Sequence, residues 1–283
     1  MSQTLVLKFG GTSLGTPNRL RRAALRVRRH RREGRAVVVV VSAPGSTTDR
    51  ITRWLDTSAP AAARERASGR EHDRALATGE DLAAALLAAA LGSVDVPALS
   101  LRGGEAGIEA TGEHRAGELH RVCGEKLRTL LDAGTVPVVA GFQAVRADGE
   151  TVTLGRGASD LTAVAIAGAL AAECHIVTDV DGIYNADPQT TPDARRFDRM
   201  THAALVSLAQ RGGRVVHADA ACHAARRGVP LRVYHFRSRL NQPPATLVSG
   251  PPARQVNSAR HVACAPVPPG VAPAALPKVE RSA

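Results

Sequence analysis

The chain has 283 residues, a formal net charge of +11 and 44% hydrophobic residues. This length suffices for one large α/β core, and we expect no stretch apolar enough to cross a membrane. Only 2% of the residues are aromatic and no nucleic-acid-binding module is recognisable, so the charge does not indicate a nucleic-acid partner. The N-terminus lacks a basic leader and the cysteines lack Cys-x-x-Cys spacing, which predicts a cytoplasmic protein with reduced thiols.

The first predicted element is a buried strand over residues 5–9, which carries Lys8 near its end and is followed by Gly10 and Gly11. Glycines let backbone N–H groups approach phosphate oxygens, and a lysine supplies a mobile positive charge. The spacing matches neither the P-loop nor the dinucleotide-binding fingerprint. The segment therefore predicts a phosphate-binding loop of a different kind.

A helix rich in arginine is predicted next, beginning at Thr16 and Pro17. The arginines in and just after it are Arg19, Arg21, Arg22, Arg26, Arg28, Arg29, Arg31, Arg32 and Arg35. We favour a solvated helix face, because runs of charge are usually solvated. The alternative is a docking surface for an acidic partner or carrier protein.

The second predicted strand, residues 37–41, consists of valines and leads into a loop with small hydroxyl residues. Ser42 and Thr48 lie in this loop. Ligands of open α/β sheets bind outside the carboxyl ends of the strands, so this loop and the Lys8 loop are expected to converge on one crevice.

Helices and strands alternate through the rest of the chain, which predicts a mostly parallel sheet covered on both sides. The predicted elements are helix 71–91, strand 98–101, helix 122–133, strand 136–140, a hairpin of 142–145 and 151–154 with its turn at Asp148-Gly149, helix 160–172, strand 175–178, helices near 201–211 and 217–228, and strand 231–234. We predict one domain over residues 1–250. Residues 251–283 are rich in proline and small residues, which predicts a disordered or surface-draped tail.

Residues 153–160 place two glycines, Arg156 and Asp160 where the hairpin leads into a helix. The helix is expected to begin at Ser159 or Asp160, so its first N–H groups point back into the glycine loop. The planar guanidinium of Arg156 suits a carboxylate. The segment predicts an anion-binding site, and a capped helix after a tight turn is the simpler alternative.

Four segments in this order resemble the aspartokinases of the amino acid kinase superfamily. They are residues 8–13, 42–48, 153–160 and 178–188, with weaker matches at 78–80 and 216–217. The resemblance spans about Thr4 to about Val248 and implies a three-layer αβα sandwich with a mostly parallel central sheet. It implies ATP- and Mg²⁺-dependent phosphorylation of the side-chain carboxylate of L-aspartate to 4-phospho-L-aspartate by a homo-oligomeric enzyme.

The resemblance also implies roles for individual residues, with no protein residue assigned to a metal. Lys8, Asp160 and Arg214 are expected to be catalytic: Lys8 would stabilise the transferring phosphoryl group, and Asp160 would orient Lys8 or organise magnesium. The residues expected to bind ATP are Gly10, Gly11, Ser13, Thr178, Asp179, Tyr184 and Asp187. The residues expected to bind the amino acid are Ser42, Thr48, Glu80, Arg156 and Ser159, with Glu80 on the α-ammonium and Arg156 on the α-carboxylate.

The chain departs from the aspartokinase pattern at four positions. Gln189 replaces the usual arginine, Arg214 the usual lysine, Glu105 the usual glutamine and Ala110 the usual threonine. The extra carboxylate of Glu105 leaves open a different acceptor amino acid, or one tethered to a carrier protein. A non-catalytic homologue that binds nucleotide or amino acid is a further alternative. Many aspartokinases continue into ACT regulatory domains, for which this chain has no room, so we expect no feedback inhibition by that route unless a separate chain supplies it.

Overall fold

The computed structural model describes residues 3–58, 69–155, 157–186, 188, 190–213, 215–239 and 244–250, so the predicted tail lies outside the described residues. The strands in this part of the chain are β1 (Thr4–Phe9), β2 (Ala36–Val41), β3 (Ala98–Leu101), β4 (Ile108–Thr111), β5 (Glu118–Val122), β6 (Val136–Ala140), β7 (Gln143–Val145), β8 (Thr151–Thr153), β9 (Glu173–Thr178), β10 (Arg199–Met200), β11 (Leu231–His235) and β12 (Thr246–Val248). The α-helices are α1 (Pro17–Arg32), α2 (Thr47–Thr57), α3 (Gly69–Gly92), α4 (Glu125–Asp132), α5 (Ala158–Leu170), α6 (His202–Gln210) and α7 (Ala218–Arg227).

The main sheet has eight strands in the order β10-β12-β11-β9-β1-β2-β6-β3. Every neighbouring pair from β11 to β3 is parallel, and only the β11–β12 pair is antiparallel. The carboxyl ends of β9, β1 and β2 therefore lie side by side at one edge of the sheet. The predicted mostly parallel sheet is confirmed.

Helices cover both faces of the main sheet, and each face has its own apolar core. Leu5, Leu7 and Phe9 of β1 belong to the core shared with α1 and α3, whereas Val6 belongs to the core shared with α5 and α7. Successive side chains of a strand point to opposite faces, so Lys8 points to the same side as Val6. The three-layer αβα arrangement implied by the sequence is confirmed, and its alternation determines which helix Lys8 meets.

A second, four-stranded sheet has the order β5-β4-β7-β8. Its β7–β8 hairpin turns at Asp148-Gly149 as predicted, with Gly149 at a φ of 84°. Strands β4 and β5 were not predicted. The helix predicted over 122–133 begins only at Glu125, because Val122 ends β5.

The length and hydropathy of helix α3 differ from the expectation that no segment is apolar enough to cross a membrane. By length and composition alone, Gly69–Gly92 passes that test, with a mean hydropathy of 1.4 in its most apolar window. The helix packs against α1, β3 and β6, and its buried stripe contains the carboxylates of Asp73 and Glu80. Carboxylates are buried where protein groups bind them, so these two residues identify α3 as a core helix of a folded domain.

Several arginines of α1 make contacts within the protein itself. The helix begins as predicted, with the Thr16 hydroxyl accepting a hydrogen bond from Arg19 N. Arg22 and the fully buried Arg26 donate to main-chain carbonyls of residues 236–238, and Arg26 also lies over the ring of Tyr234. Arg31 donates to Gly134 O. Arg22 and Arg26 thus tie α1 to the loop after β11, and their guanidinium groups are not free to bind an acidic partner.

A buried polar cluster joins α1 to β9 and β11. The His175 ring lies between the Glu173 carboxylate and the Tyr234 hydroxyl, with Nε2 2.8 Å from Glu173 Oε1. It also packs edge to face against the His30 ring. Burial lowers the pKa of His30 to about 4 and also lowers the pKa of His175. The hydrogen bond from His175 lowers the pKa of Glu173 to about 2.

We expect this cluster to make the protein sensitive to acid. His30 has a lower pKa in the folded chain than the 6.5 of the unfolded chain, so its contribution to stability is present above pH 6.5 and lost as the pH falls towards 4. His30→Gln should reduce the slope of unfolding free energy against pH in this range by up to ~1.4 kcal/mol per pH unit. Urea titrations at several pH values measure the slope. The same change at the exposed His120 should leave it unaltered.

Among the described residues, Cys174 and Cys222 are free thiols. Burial strongly raises the pKa of the Cys174 thiol.

Candidate active site

Lys8 and Asp160 form the centre of the site. Asp160 lies in the first turn of α5, and Lys8 Nζ forms an ion pair with Asp160 Oδ1 at 2.8 Å. The second oxygen, Oδ2, accepts a hydrogen bond from His217 N, just before α7, at 3.3 Å. Asp160 thus holds the lysine ammonium at the carboxyl end of β1.

The glycine loop after β1 is fixed by its own main chain. Gly10 N donates to Val177 O of β9, and Gly11 O accepts from Gly45 N of the neighbouring loop at 2.9 Å. The Ser13 hydroxyl is buried and donates to Val177 O at 3.4 Å. Two groups expected to face a phosphate, the N–H of Gly10 and the hydroxyl of Ser13, therefore donate hydrogen bonds to the protein itself. Gly11 lies against the loop that contains Gly45.

The two glycines of this loop should respond differently to substitution. A Cβ on Gly11 would lie 2.4 Å from Ala43 O, whereas a Cβ on Gly10 would meet its nearest atom, Lys8 Nζ, at 3.6 Å. We expect Gly11→Ala to destabilise the protein by about 2–3 kcal/mol, because main chain must move to make room. Gly10→Ala should fold with near-normal stability. Thermal unfolding of the two variants compares them directly, and equal melting temperatures would contradict the prediction.

Glu80 approaches the site from the β2 side. It lies on α3 with 3% of its surface exposed, and its Oε1 accepts a hydrogen bond from Ala43 N at 3.0 Å. Gly79 allows this approach, since a Cβ there would lie 2.8 Å from the Ala43 side chain. Oε2 is buried with no hydrogen-bond partner among the described residues, and burial raises the pKa of the carboxyl to about 7. This oxygen can accept from a bound cation.

The hydroxyl residues predicted to complete the pocket lie at the same edge of the sheet. Ser42 continues β2, and its N donates to Phe9 O. Thr48 lies in the first turn of α2. Ser159, which is buried, precedes Asp160 on α5 and packs against Gly141 after β6.

A cavity of about 750 Å³ opens beside β9. Its lining includes the predicted nucleotide residues Thr178, Asp179 and Tyr184, together with apolar side chains of α6 such as Leu205. The Tyr184 hydroxyl donates to Asp181 Oδ1 at 2.7 Å, which fixes the ring in the loop after β9. The cavity also reaches Val216, next to the amide that holds Asp160.

Three predicted site residues, Arg156, Asp187 and Arg214, lie outside the described residues, as does Gln189. The residues around Arg156 are described: Gly155 and Gly157 have φ angles of 83° and 80°, which favour glycine. A Cβ on Gly157 would lie 2.4 Å from the ring of His217. The third departure from the family pattern, Glu105, accepts a hydrogen bond from Arg102 N and so closes its own turn.

The sequence did not predict the two main-chain amides that organise this site. Ala43 N binds Glu80 and His217 N binds Asp160, and both contacts join segments far apart in sequence. The match of Val216-His217 to the family pattern indicated that this segment belongs to the site. A match in sequence does not show that the main-chain N–H of His217 is the group that binds Asp160.

The parallel sheet, the glycine loop after β1, the Lys8–Asp160 pair and the adjoining cavity define an α/β protein with a candidate site at the carboxyl ends of its parallel strands. The model of the amino acid kinase family matches residues 3–235, and the chain belongs to this family. It is 41% identical to an aspartokinase of Pseudomonas aeruginosa over 246 residues, which are 87% of this chain and 58% of that protein. A Mycolicibacterium smegmatis aspartokinase is also 41% identical, over 87% of this chain and 57% of its own length.

Solved structures of aspartate kinases also superpose on this chain. The aspartate kinase of Synechocystis superposes with a TM-score of 0.74 and 38% identity, over 89% of this chain and 40% of that one. E. coli aspartokinase III in complex with lysine and aspartate also has a TM-score of 0.74, with 25% identity over 88% of this chain and 65% of that one. The resemblance to aspartokinases drawn from four motifs is confirmed. The chain spans about 58% of the length of the curated relatives it matches.

Proposed function

We propose that this protein transfers the γ-phosphoryl group of ATP to the side-chain carboxylate of L-aspartate and releases 4-phospho-L-aspartate. The observation that carries the proposal is the order of groups along three adjacent strands. The cavity opens beside β9, the Lys8–Asp160 pair lies at the end of β1, and Glu80 reaches the loop after β2. A nucleotide, a transferring phosphoryl group and an amino acid would occupy these positions in that order.

The chemistry needs charge neutralisation more than proton transfer. The acceptor is a carboxylate, which is ionised at neutral pH, so no general base is required. ATP is also anionic, and Lys8 supplies a positive charge where negative charge passes between the reactants. Asp160 keeps the Lys8 ammonium at the strand end, and the residues predicted to complete the charge balance are Arg156 and Arg214.

Recognition of the acceptor needs an anion for its α-ammonium. Glu80 Oε2 is buried and has no hydrogen-bond partner among the described residues, so an ammonium there would satisfy it. Ser42, Thr48 and Ser159 supply hydroxyl groups around the same edge. E. coli aspartokinase III, whose structure is also known with aspartate and ADP, superposes on this chain with a TM-score of 0.72 and 25% identity.

Magnesium is the cofactor that the phosphoryl transfer implies. Among the described residues, no group of three or more His, Cys, Asp or Glu side chains is arranged to hold a metal ion. Mg²⁺ in phosphoryl-transfer sites is commonly bound mainly through nucleotide phosphates and water, with one or two carboxylates. When bound, it would neutralise phosphate charge, and Asp160, beside Lys8, and Asp179, in the lining of the cavity, are carboxylates that would help to hold it.

Trapping of the acyl phosphate by hydroxylamine tests the proposal. The purified protein, ATP and Mg²⁺ are incubated with L-aspartate, L-glutamate, N-acetylglutamate and related acids, and hydroxamate is measured. Hydroxamate with aspartate alone is the expected result. Hydroxamate with another acid only would assign a different acceptor, and none with any free acid would favour a carrier-bound acceptor or a binding protein without catalysis.

A further inference from the structure

A fully buried carboxylate, Asp73, joins three segments that lie far apart in sequence. Its Oδ1 accepts a hydrogen bond from the hydroxyl of Thr153, on β8, at 2.7 Å. Its Oδ2 accepts from Arg115 N at 2.8 Å and lies 3.2 Å from His114 Nδ1, both in the turn between β4 and β5. The carboxylate thus binds α3 to the β7–β8 hairpin and to the turn that folds over it.

Both strands of that hairpin are attached to α3. Gln143, the cross-strand partner of Thr153, donates from Nε2 to Ala77 O at 3.2 Å and to Asp81 Oδ1 at 2.9 Å. The turn closes on the other side, where Gly117 N donates to Thr153 O at 3.1 Å. The end of β8 is therefore held on both sides at Thr153, three residues before Arg156 in the sequence.

The same helix carries Glu80. Asp73 and Glu80 are seven residues apart, two turns along the buried stripe of α3, so both point to the interior from one face. Together with Gln143, Asp73 thus fixes the strand that leads into Gly155 against the helix that presents the candidate ammonium ligand. Among the described contacts, Asp73 also attaches the turn between β4 and β5 to that helix.

We propose that Asp73 is a positioning residue for the acceptor pocket. It sets the distance between Glu80 and the loop after β8 without touching the substrate, and this inference rests on the proposed function above. Burying a carboxylate is unfavourable unless its oxygens are fully hydrogen-bonded. An apolar side chain would fill the same space at a lower cost but would leave the strand and the turn unattached.

Asp73→Asn tests the proposal, since it keeps the volume and removes an acceptor oxygen. We expect the KM for aspartate to rise about tenfold and the KM for ATP to change by less than about twofold. Amide hydrogen exchange should become faster in peptides covering residues 112–117 and 150–155. Thr153→Val removes the hydroxyl donor alone, should shift both readouts in the same direction, and serves as the test if Asp73→Asn does not fold.

A matched control lies on the nucleotide side. Thr246 is fully buried, and its hydroxyl accepts from Ile183 N and donates to Phe197 O beside the cavity. Thr246→Val should therefore raise the KM for ATP and leave that for aspartate unchanged. Equal changes of both KM values in Asp73→Asn, or unchanged exchange, would overturn the positioning role.

The design separates this inference from the proposed function. If the wild-type protein uses another acid, the same comparison of KM values is made with that acid. If it turns over none, the proposed function fails, and the exchange comparison between wild type and Asp73→Asn then decides by itself whether Asp73 anchors the strand.

Discussion

Lys8→Met is expected to lower kcat by about 10³-fold or more, because removal of a single charge that stabilises a transition state commonly costs that much. The loss should appear in kcat rather than in the KM for aspartate, since the lysine acts on the transferring phosphoryl group. Hydroxamate formation under saturating substrates measures it. A variant that keeps a tenth of the wild-type kcat would remove Lys8 from the chemistry.

The variant also leaves Asp160 buried without its ion-pair partner, which is expected to destabilise the fold by about 3 kcal/mol. Loss of activity could then reflect unfolding. Lys8→Met combined with Asp160→Asn removes both charges, so its stability should return towards that of the wild type, while its activity stays low. Recovery of activity together with stability in the double variant would show that Lys8 has a structural role only.

The sequence predicted the centre of the fold well, because its signals there are local. The valines of β2 and the apolar residues of β1 are buried on both faces of a parallel sheet. Successive side chains of β1 point to opposite faces, which places Lys8 on the α5 side. Strands β10 and β12 were not predicted, since they have two and three residues and, unlike the equally short β7 and β8, are not joined by an Asp-Gly turn. Elements this short are stabilised by their neighbours rather than by their own sequence.

The site was predicted less completely, for a different reason. Motifs identified Lys8, Asp160 and Glu80 as site residues, but the amides that bind the two carboxylates belong to segments remote in sequence. Asp73 gave no signal either, since an acidic residue in the first turns of a helix is usually solvated. Only the approach of β8 and of the β4–β5 turn to α3 shows that its carboxylate is buried.

Glu80→Gln is expected to raise the KM for aspartate by about 100-fold, because the α-ammonium of the bound aspartate loses its ionic partner. The KM for ATP should stay within twofold of the wild-type value. The wild type should also show a pH dependence that the variant lacks. Burial raises the pKa of Glu80 to about 7, so the fraction of ionised carboxylate falls below that pH. Values of kcat/KM for aspartate should therefore decline by about tenfold per pH unit below 7, with no such inflection in the variant.

The same carboxyl group should affect stability in the opposite sense. Its pKa in the folded chain lies above the 4.5 of the unfolded chain, so the folded state is favoured at low pH and loses that contribution as the pH rises through about 7. At pH 8 the unliganded Glu80→Gln variant should be more stable than the wild type by about 3 kcal/mol, and the difference should vanish near pH 4.5.

Glu105→Gln provides the matched control, since that carboxylate is exposed and closes a turn of its own. It should leave the KM for aspartate, the pH profile and the stability unchanged. If it altered acceptor choice instead, the selectivity would lie at Glu105. If Glu80→Gln were destabilised at pH 8, Oε2 would have a cationic partner in the free protein, and its assignment to the α-ammonium of the acceptor would be wrong.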